Sequence, residues 1–179
     1  PTLSFLAYNE TFSTAVLNSN ASARLLHSSS EYQPFHEAGV YNRATNSIYI
    51  TSNYNIDAGP SNPINVTILS LDDYSYRSVR YPGLYQANGG TNYFPPSGSN
   101  SSNGNDDAQS LVLFCDQGDL SHPSALTTLD PTTNETNVIL NNYLGRDFSS
   151  VNDVRQHPET GELWFTDADY GYFQFFRPP

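Results

Sequence analysis

The sequence predicts an all-β chain built from repeated antiparallel hairpins. Three observations lead there. Apolar residues recur with period two and almost never with helical period; proline and glycine fall between these runs; and one hairpin pattern returns along the chain. Val40-Tyr41 and Ser47 to Thr51 read as short strands joined by Asn42-Arg43-Ala44-Thr45-Asn46. Ile64 to Leu71 is a further alternating run. Leu111-Val112-Leu113-Phe114-Cys115 is apolar on both faces, as a strand between two layers must be. Ser124 to Leu129 and Asn137 to Leu140 flank the turn Asp130-Pro131-Thr132-Thr133-Asn134-Glu135. Val151 to Gln156 and Glu162 to Thr166 flank His157-Pro158-Glu159-Thr160-Gly161.

Spacing suggests that these hairpins repeat. Glu37 to Thr51 and Asn152 to Thr166 each span 14 positions, with a polar residue opening the first strand and Thr closing the second. Asn88-Gly89-Gly90 to Cys115-Asp116-Gln117 fits the same hairpin with its loop lengthened by Pro95 to Ala108. The closing residues Thr51, Cys115 and Thr166 lie 64 and 51 positions apart, a little above the roughly 40–50 of a propeller blade. In a propeller the innermost strands line one channel, so Glu37 and Asn152 would face a common centre. Three blades do not close, and an open stack would leave apolar faces and strand edges wet. Residues 1–179 are therefore expected to be the N-terminal half of a single six-bladed β-propeller domain. The remaining blades would lie on a second polypeptide or be missing.

Composition narrows the function. The formal charge is −11 and charged residues make up 14% of the chain, which argues against a nucleic acid or an anionic membrane as partner. All seven basic residues are arginine, so a lysine nucleophile, Schiff base or P-loop is excluded. The single Cys115 excludes an internal disulfide, an iron–sulfur cluster and a Cys-rich zinc site. No apolar run approaches the roughly 20 residues of a membrane span. The chain starts at Pro1 with no initiator methionine or apolar leader and is expected to be a processed or trimmed product. Sequons at Asn9, Asn20, Asn65, Asn100 and Asn134 mark candidate glycosylation sites. An Asn-, Ser- and Thr-rich chain also produces sequons by chance. Together with the acidic, tyrosine-rich composition they set secretion as the expected location.

Several motifs in order carry a resemblance. Pro34 to Tyr41, Asn88-Gly89-Gly90, Phe114-Cys115-Asp116-Gln117-Gly118, Asn152-Asp153-Val154 and Trp164-Phe165-Thr166-Asp167 are involved. Together they resemble the fungal secreted branch of the gluconolactonase, senescence-marker-protein and luciferin-regenerating-enzyme superfamily, which is related to the paraoxonases. Tyr170-Gly171-Tyr172, Gln174 and Phe176-Arg177-Pro178 resemble the same branch. The likeness runs from about Tyr32 to the C-terminus. It implies a six-bladed, calcium-dependent propeller that hydrolyses a lactone or related ester, with another divalent cation as a possible substitute. Glu37 matches the glutamate that opens the first blade and holds the metal, and Asn152 matches the asparagine of the third blade. A further asparagine and the aspartate that acts as general base would lie beyond Pro179.

The residue types suit that chemistry, since calcium takes six to eight oxygens at flexible geometry. Asn88, Asp116 and Gln117 are candidate substrate contacts; their plainer readings are a tight turn for Asn88 and a polar strand end for the other two. Asp153 alternates to the other face and is expected to cap or pair structurally. The paraoxonases hold a second calcium near this position, but its other aspartate is replaced here by Ala38. Ser150 stands where some relatives carry a substrate-binding arginine, which leaves the identity of the lactone open. His36, His122 and His157 have no nucleophile at a credible spacing and are assigned no catalysis. Cys115 is expected to be a buried free thiol or to pair with a cysteine of the other half. Outside the enzyme class, a non-catalytic binding propeller with a structural calcium would fit the same residues. A glycosidase fits less well, since no carboxylate pair has a readable separation.

Overall fold

The structure, a computed structural model, describes residues 7–17, 21–29, 33–54, 62–96, 110–175 and 177–178. The chain divides into two compact units, Pro1–Ser30 and Glu31–Pro179. The first holds one short helix, α1 (Glu10–Phe12), continued by a π-turn over Ser13–Leu17. Asn9 caps it, its side-chain oxygen accepting from the Thr11 N–H at 2.7 Å. So brief a helix leaves no readable period, which is why the sequence did not announce it.

In the second unit, β1 (Glu37–Asn42), β2 (Ser47–Thr51), β3 (Val66–Ser70) and β4 (Tyr76–Val79) form an antiparallel sheet in chain order. A second sheet repeats that order with β5 (Ala87–Tyr93), β6 (Leu111–Asp116), β7 (Ala125–Leu129) and β8 (Thr136–Leu140). A two-residue ribbon follows, β9 (Asn142–Tyr143) with β10 (Arg146–Asp147). Then β11 (Val151–Gln156) pairs with β12 (Leu163–Asp167), and α2 (Tyr170–Phe173) follows. The all-β class holds, with antiparallel pairing throughout the described sheets. The lengthened middle hairpin is also present, pairing Ala87 with Asp116 and Gly90 with Phe114. Most of its connection lies outside the described residues.

The middle sheet is packed on both faces, as the doubly apolar run 111–115 requires. Val112, Phe114 and Leu129 join Val40, Tyr49, Val66 and Ile68 of the first sheet in one core. Leu113, Cys115 and Leu126 turn the other way, toward Val151 and Val154. Burying side chains the size of Leu113 and Phe114 contributes about 1.5–3 kcal/mol each. The third sheet has two strands among the described residues, and Trp164 on β12 is 68% exposed.

Strands β1, β5 and β11 lie beside one another at the sheet starts. Each carries a bulge near its start, between Ala38 and Val40, Ala87 and Gly90, and Val151 and Val154. Glycine makes the approach possible. A Cβ on Gly89 would sit 2.5 Å from the Asn152 carbonyl oxygen of β11. At the far end Gln156 acts as a staple, accepting from the Phe94 N–H at 2.8 Å and donating to the Phe94 carbonyl at 2.9 Å.

Candidate functional site

The bulges fix where each polar side chain stands. Register makes Asn88 and Asn152 equivalent, since each lies one residue past the last regular pair, Ala87 with Asp116 and Val151 with Asp167. In β1 that place is taken by Ala38, and Glu37 pairs directly with Thr51. The equal spacing of 14 therefore aligned Glu37 with Asn152 one position out of step: register matches Glu37 to Val151. The closing residues shift likewise, so Thr51 corresponds to Asp116 and Asp167 rather than to Cys115 and Thr166.

Two of the predicted site residues, Asn88 and Asn152, are linked directly, and Glu37 opens the strand beside them. The Thr51 hydroxyl, opposite Glu37, donates to the Asn88 carbonyl at 2.9 Å. The Asn152 side-chain amide donates to the Asn88 side-chain oxygen at 3.1 Å. Glu37 is exposed, Asn152 half-buried and Asn88 buried. The side-chain oxygen of Asn152 and the carboxylate of Glu37 have no hydrogen-bond partner among the described residues, so both keep their lone pairs uncommitted. Ala38 and Gly39 both take left-handed backbone, φ 66° and 67°, which bends the chain directly after Glu37. Among the described residues no three His, Cys, Asp or Glu side chains form a metal-holding group; the oxygens gathered here come mostly from amides.

Asp116 and Gln117 occupy a different setting. Asp116 is 2% exposed, and its carboxylate accepts from the backbone N–H groups of Tyr85, Gln86 and Gly118 at 2.9, 2.8 and 3.0 Å. Burial pushes this carboxyl above its usual range, opposed by those three donors. Asp167 repeats the device, accepting from Ser149 and Ser150 N–H groups at 3.1 and 2.8 Å. In both sheets the aspartate ending the second strand braces the two residues before the innermost strand. Gln117 is fully buried, with neither end of its carboxamide partnered among the described residues. Neither side chain is open to a solute.

Asp153 pairs structurally, as expected. Arg155 donates to its carboxylate at 2.8 Å and to the Gly90 carbonyl at 3.0 Å, tying β11 to β5. Cys115 is a buried free thiol in the second core, and burial pushes its pKa up, which leaves it unreactive. His157 accepts two backbone N–H groups in its turn. His122, assigned no catalysis, has its Nδ1 2.9 Å from Asp119 Oδ1 and its ring stacked on Tyr85 at 3.7 Å. The Asp-x-x-His spacing was visible; the turn that closes it was not. Asn9, Asn65 and Asn134 each use the side-chain oxygen for a hydrogen bond, leaving free the nitrogen to which a glycan attaches. Asn20 and Asn100 lie outside the described residues. Beside the start of β11, a cavity of about 720 Å³ is lined by Arg146, Asp147, Phe148, Asp169, Tyr172 and Arg177 among others.

No protein-family model matches the chain. Over 172 residues, 93% of its length, it is 30% identical to lactonohydrolase oryL of Aspergillus oryzae, and it spans 35% of that protein. Its fold is similar to part of a solved gluconolactonase-family structure (TM-score 0.61, 22% identity, 92% of this chain and 46% of the other). It is also similar to part of a gluconolactonase from Xanthomonas campestris (TM-score 0.52, 16% identity, 78% and 38%). The likeness to these structures is one of fold. These likenesses support the resemblance to the gluconolactonase and senescence-marker-protein superfamily. It spans about a third of the curated relative and less than half of either solved structure.

Proposed function

We propose that this chain supplies three blades of a secreted six-bladed β-propeller that hydrolyses a lactone or related ester with the help of calcium. The observation that carries the reading is the placing of Glu37, Asn88 and Asn152 at the starts of three adjacent strands, the last two bonded to each other, in a relative of a lactonohydrolase. The two four-stranded sheets and the half-built third support the blade count. Two further strands beside β12, from a second polypeptide or another portion of the same one, would complete that blade and cover Trp164.

The donor set fits a hard cation. Glu37 and Asn152 offer uncommitted oxygens, and further ligands would come from the remaining blades and water. Calcium bound there would polarise a lactone carbonyl toward attack by water. Asn88 takes up the Asn152 amide N–H and so leaves the Asn152 oxygen for the metal. Asp116 braces the start of β5 from behind, next to the buried Gln117. The three described sequons suit a glycoprotein, which a mass loss on enzymatic deglycosylation would register.

The test uses the complete protein on a panel of lactones, with and without a chelator. Turnover that needs calcium and disappears in a folded Glu37→Ala variant is expected. Chelator-resistant turnover, or a Glu37→Ala variant of full activity, would refute the reading. Calcium binding through Glu37 with no lactone turned over would point to a binding module pinned by calcium.

A further inference from the structure

Arg177 has a setting that neither the core nor the linked strand starts require. Its side chain is only 10% exposed, and its closest carboxylate contact, Asp147, lies 3.9 Å away. The guanidinium is spent on backbone instead. Nη1 donates to the carbonyls of Asp119 and His122 at 3.1 and 2.9 Å, and Nη2 donates to that of Phe148 at 3.3 Å. Its own backbone N–H donates to the Gly171 carbonyl at 3.0 Å. Nε has no partner among the described residues.

Gly171 makes room for this side chain. A Cβ there would lie 2.6 Å from Arg177 Cγ and 3.0 Å from the Ser150 hydroxyl oxygen, which accepts the Gly171 N–H. Two segments therefore meet at one planar cation, the β6–β7 connection and the residues leading into β11, while the turn of α2 holds the backbone N–H of the same residue. The first follows Asp116, which braces the start of β5, and holds the Asp119–His122 pair. The second runs through Ser149 and Ser150, held by Asp167, to Asn152 two residues on. A guanidinium suits the task because its rigid fork of donors can serve several carbonyls at once, which a lysine ammonium cannot do in one plane.

We propose that Arg177 is a positioning residue. By clamping the segment that follows Asp116 and the one that leads to Asn152, it holds the two strand starts in the relation turnover needs, and it lines the cavity beside the start of β11. This rests on the lactonase reading. The step itself belongs to other groups, so losing the clamp should weaken substrate positioning before it alters the metal.

The experiment compares the complete protein with Arg177→Ala and Arg177→Lys. The alanine variant is expected to raise KM by about 10- to 100-fold and to weaken calcium binding far less than Asn152→Ala does. Lysine should recover part of the loss, and millimolar methylguanidinium should restore the alanine variant. Backbone amides of 117–123 and 147–151 should exchange faster with deuterium in the alanine variant, while those of β2 and β3 keep their rates. Unchanged KM and unchanged exchange in Arg177→Ala would overturn the proposal, as would a loss that neither lysine nor methylguanidinium repairs. If the unaltered protein turns over no lactone, the lactonase reading fails, and exchange at the two segments still decides the clamp. Should Arg177→Ala fail to fold, Arg177→Lys carries the comparison: an unaltered KM with unaltered exchange refutes the clamp.

Discussion

Replacing Gly89 with alanine tests the close approach of β5 and β11. The new Cβ would meet the Asn152 carbonyl oxygen at 2.5 Å, Asp153 Oδ1 at 2.7 Å and Asp153 Cα at 2.9 Å. Ordinary contact starts at 3.4 Å, so the two backbones must part by about 0.9 Å. The principal obstacles are backbone atoms, which cannot swing aside as a flexible side chain would. Overpacking of this kind costs about 1–3 kcal/mol, against which alanine returns up to about 0.5–1 kcal/mol of chain entropy. A net loss of about 1–2 kcal/mol is expected. With a urea dependence near 2 kcal/mol per molar, the unfolding midpoint of the complete protein should fall by about 0.5–1 M. The displacement also breaks the 3.1 Å link between Asn88 and Asn152, and misplacement on that scale costs on the order of 100-fold in activity. Gly145→Ala is the control, since nothing lies within 4 Å of its added Cβ and only its φ of 83° resists. It should lose stability through backbone strain alone and leave calcium binding intact. A Gly89→Ala protein as stable and as active as the unaltered one would refute this packing.

Three further expectations follow from the same geometry. The carboxyl of Asp116 is pushed up by burial from 3.8, so its contribution to stability is fully present below that pH and is lost as pH rises through the folded value. Comparing unfolding free energies with Asp116→Asn across acidic pH should show that slope in the unaltered protein and not in the variant; parallel curves would contradict it. Cys115 should resist a thiol reagent until the protein unfolds, and Cys115→Ser should cost about 1–3 kcal/mol by burying a hydroxyl; rapid labelling of native protein would count against the core described. Asn152→Ala should cost about 0.5–1.5 kcal/mol of stability for the lost hydrogen bond and weaken calcium binding far more, as titration calorimetry would show; unaltered affinity would remove Asn152 from the ligand set.

The strands that the sequence makes legible are those whose burial is one-sided or complete. Leu111 to Cys115 announces a sandwiched strand because both of its faces are apolar, and Val151 and Val154 mark the buried side of β11. Strand β4 is exposed along Tyr76, Arg77 and Ser78 and offers no alternation to read. The β9–β10 ribbon is too short for a period. Turn length hid the rest: the first hairpin turns through 43–46 and the third through 157–162, so equal spacing matched Glu37 with Asn152 although register makes Asn88 the equivalent of Asn152. The bracing role shared by Asp116 and Asp167 disappears under the same one-residue error. Spacing singled out Glu37 and Asn152, and the resemblance gave them the metal. The Asn88–Asn152 bond and the Arg177 clamp join residues 64 and more than 50 positions apart, which only the fold brings together.

The central claim is that Glu37 and Asn152 hold a calcium ion where the blades meet. A crystal structure of the complete protein grown with calcium tests it most directly. One ion is expected about 2.3–2.6 Å from a Glu37 carboxylate oxygen and from the Asn152 side-chain oxygen, with Asn88 still accepting the Asn152 amide. An ion bound elsewhere, or a site that stays empty at millimolar calcium while lactone is turned over, would contradict it.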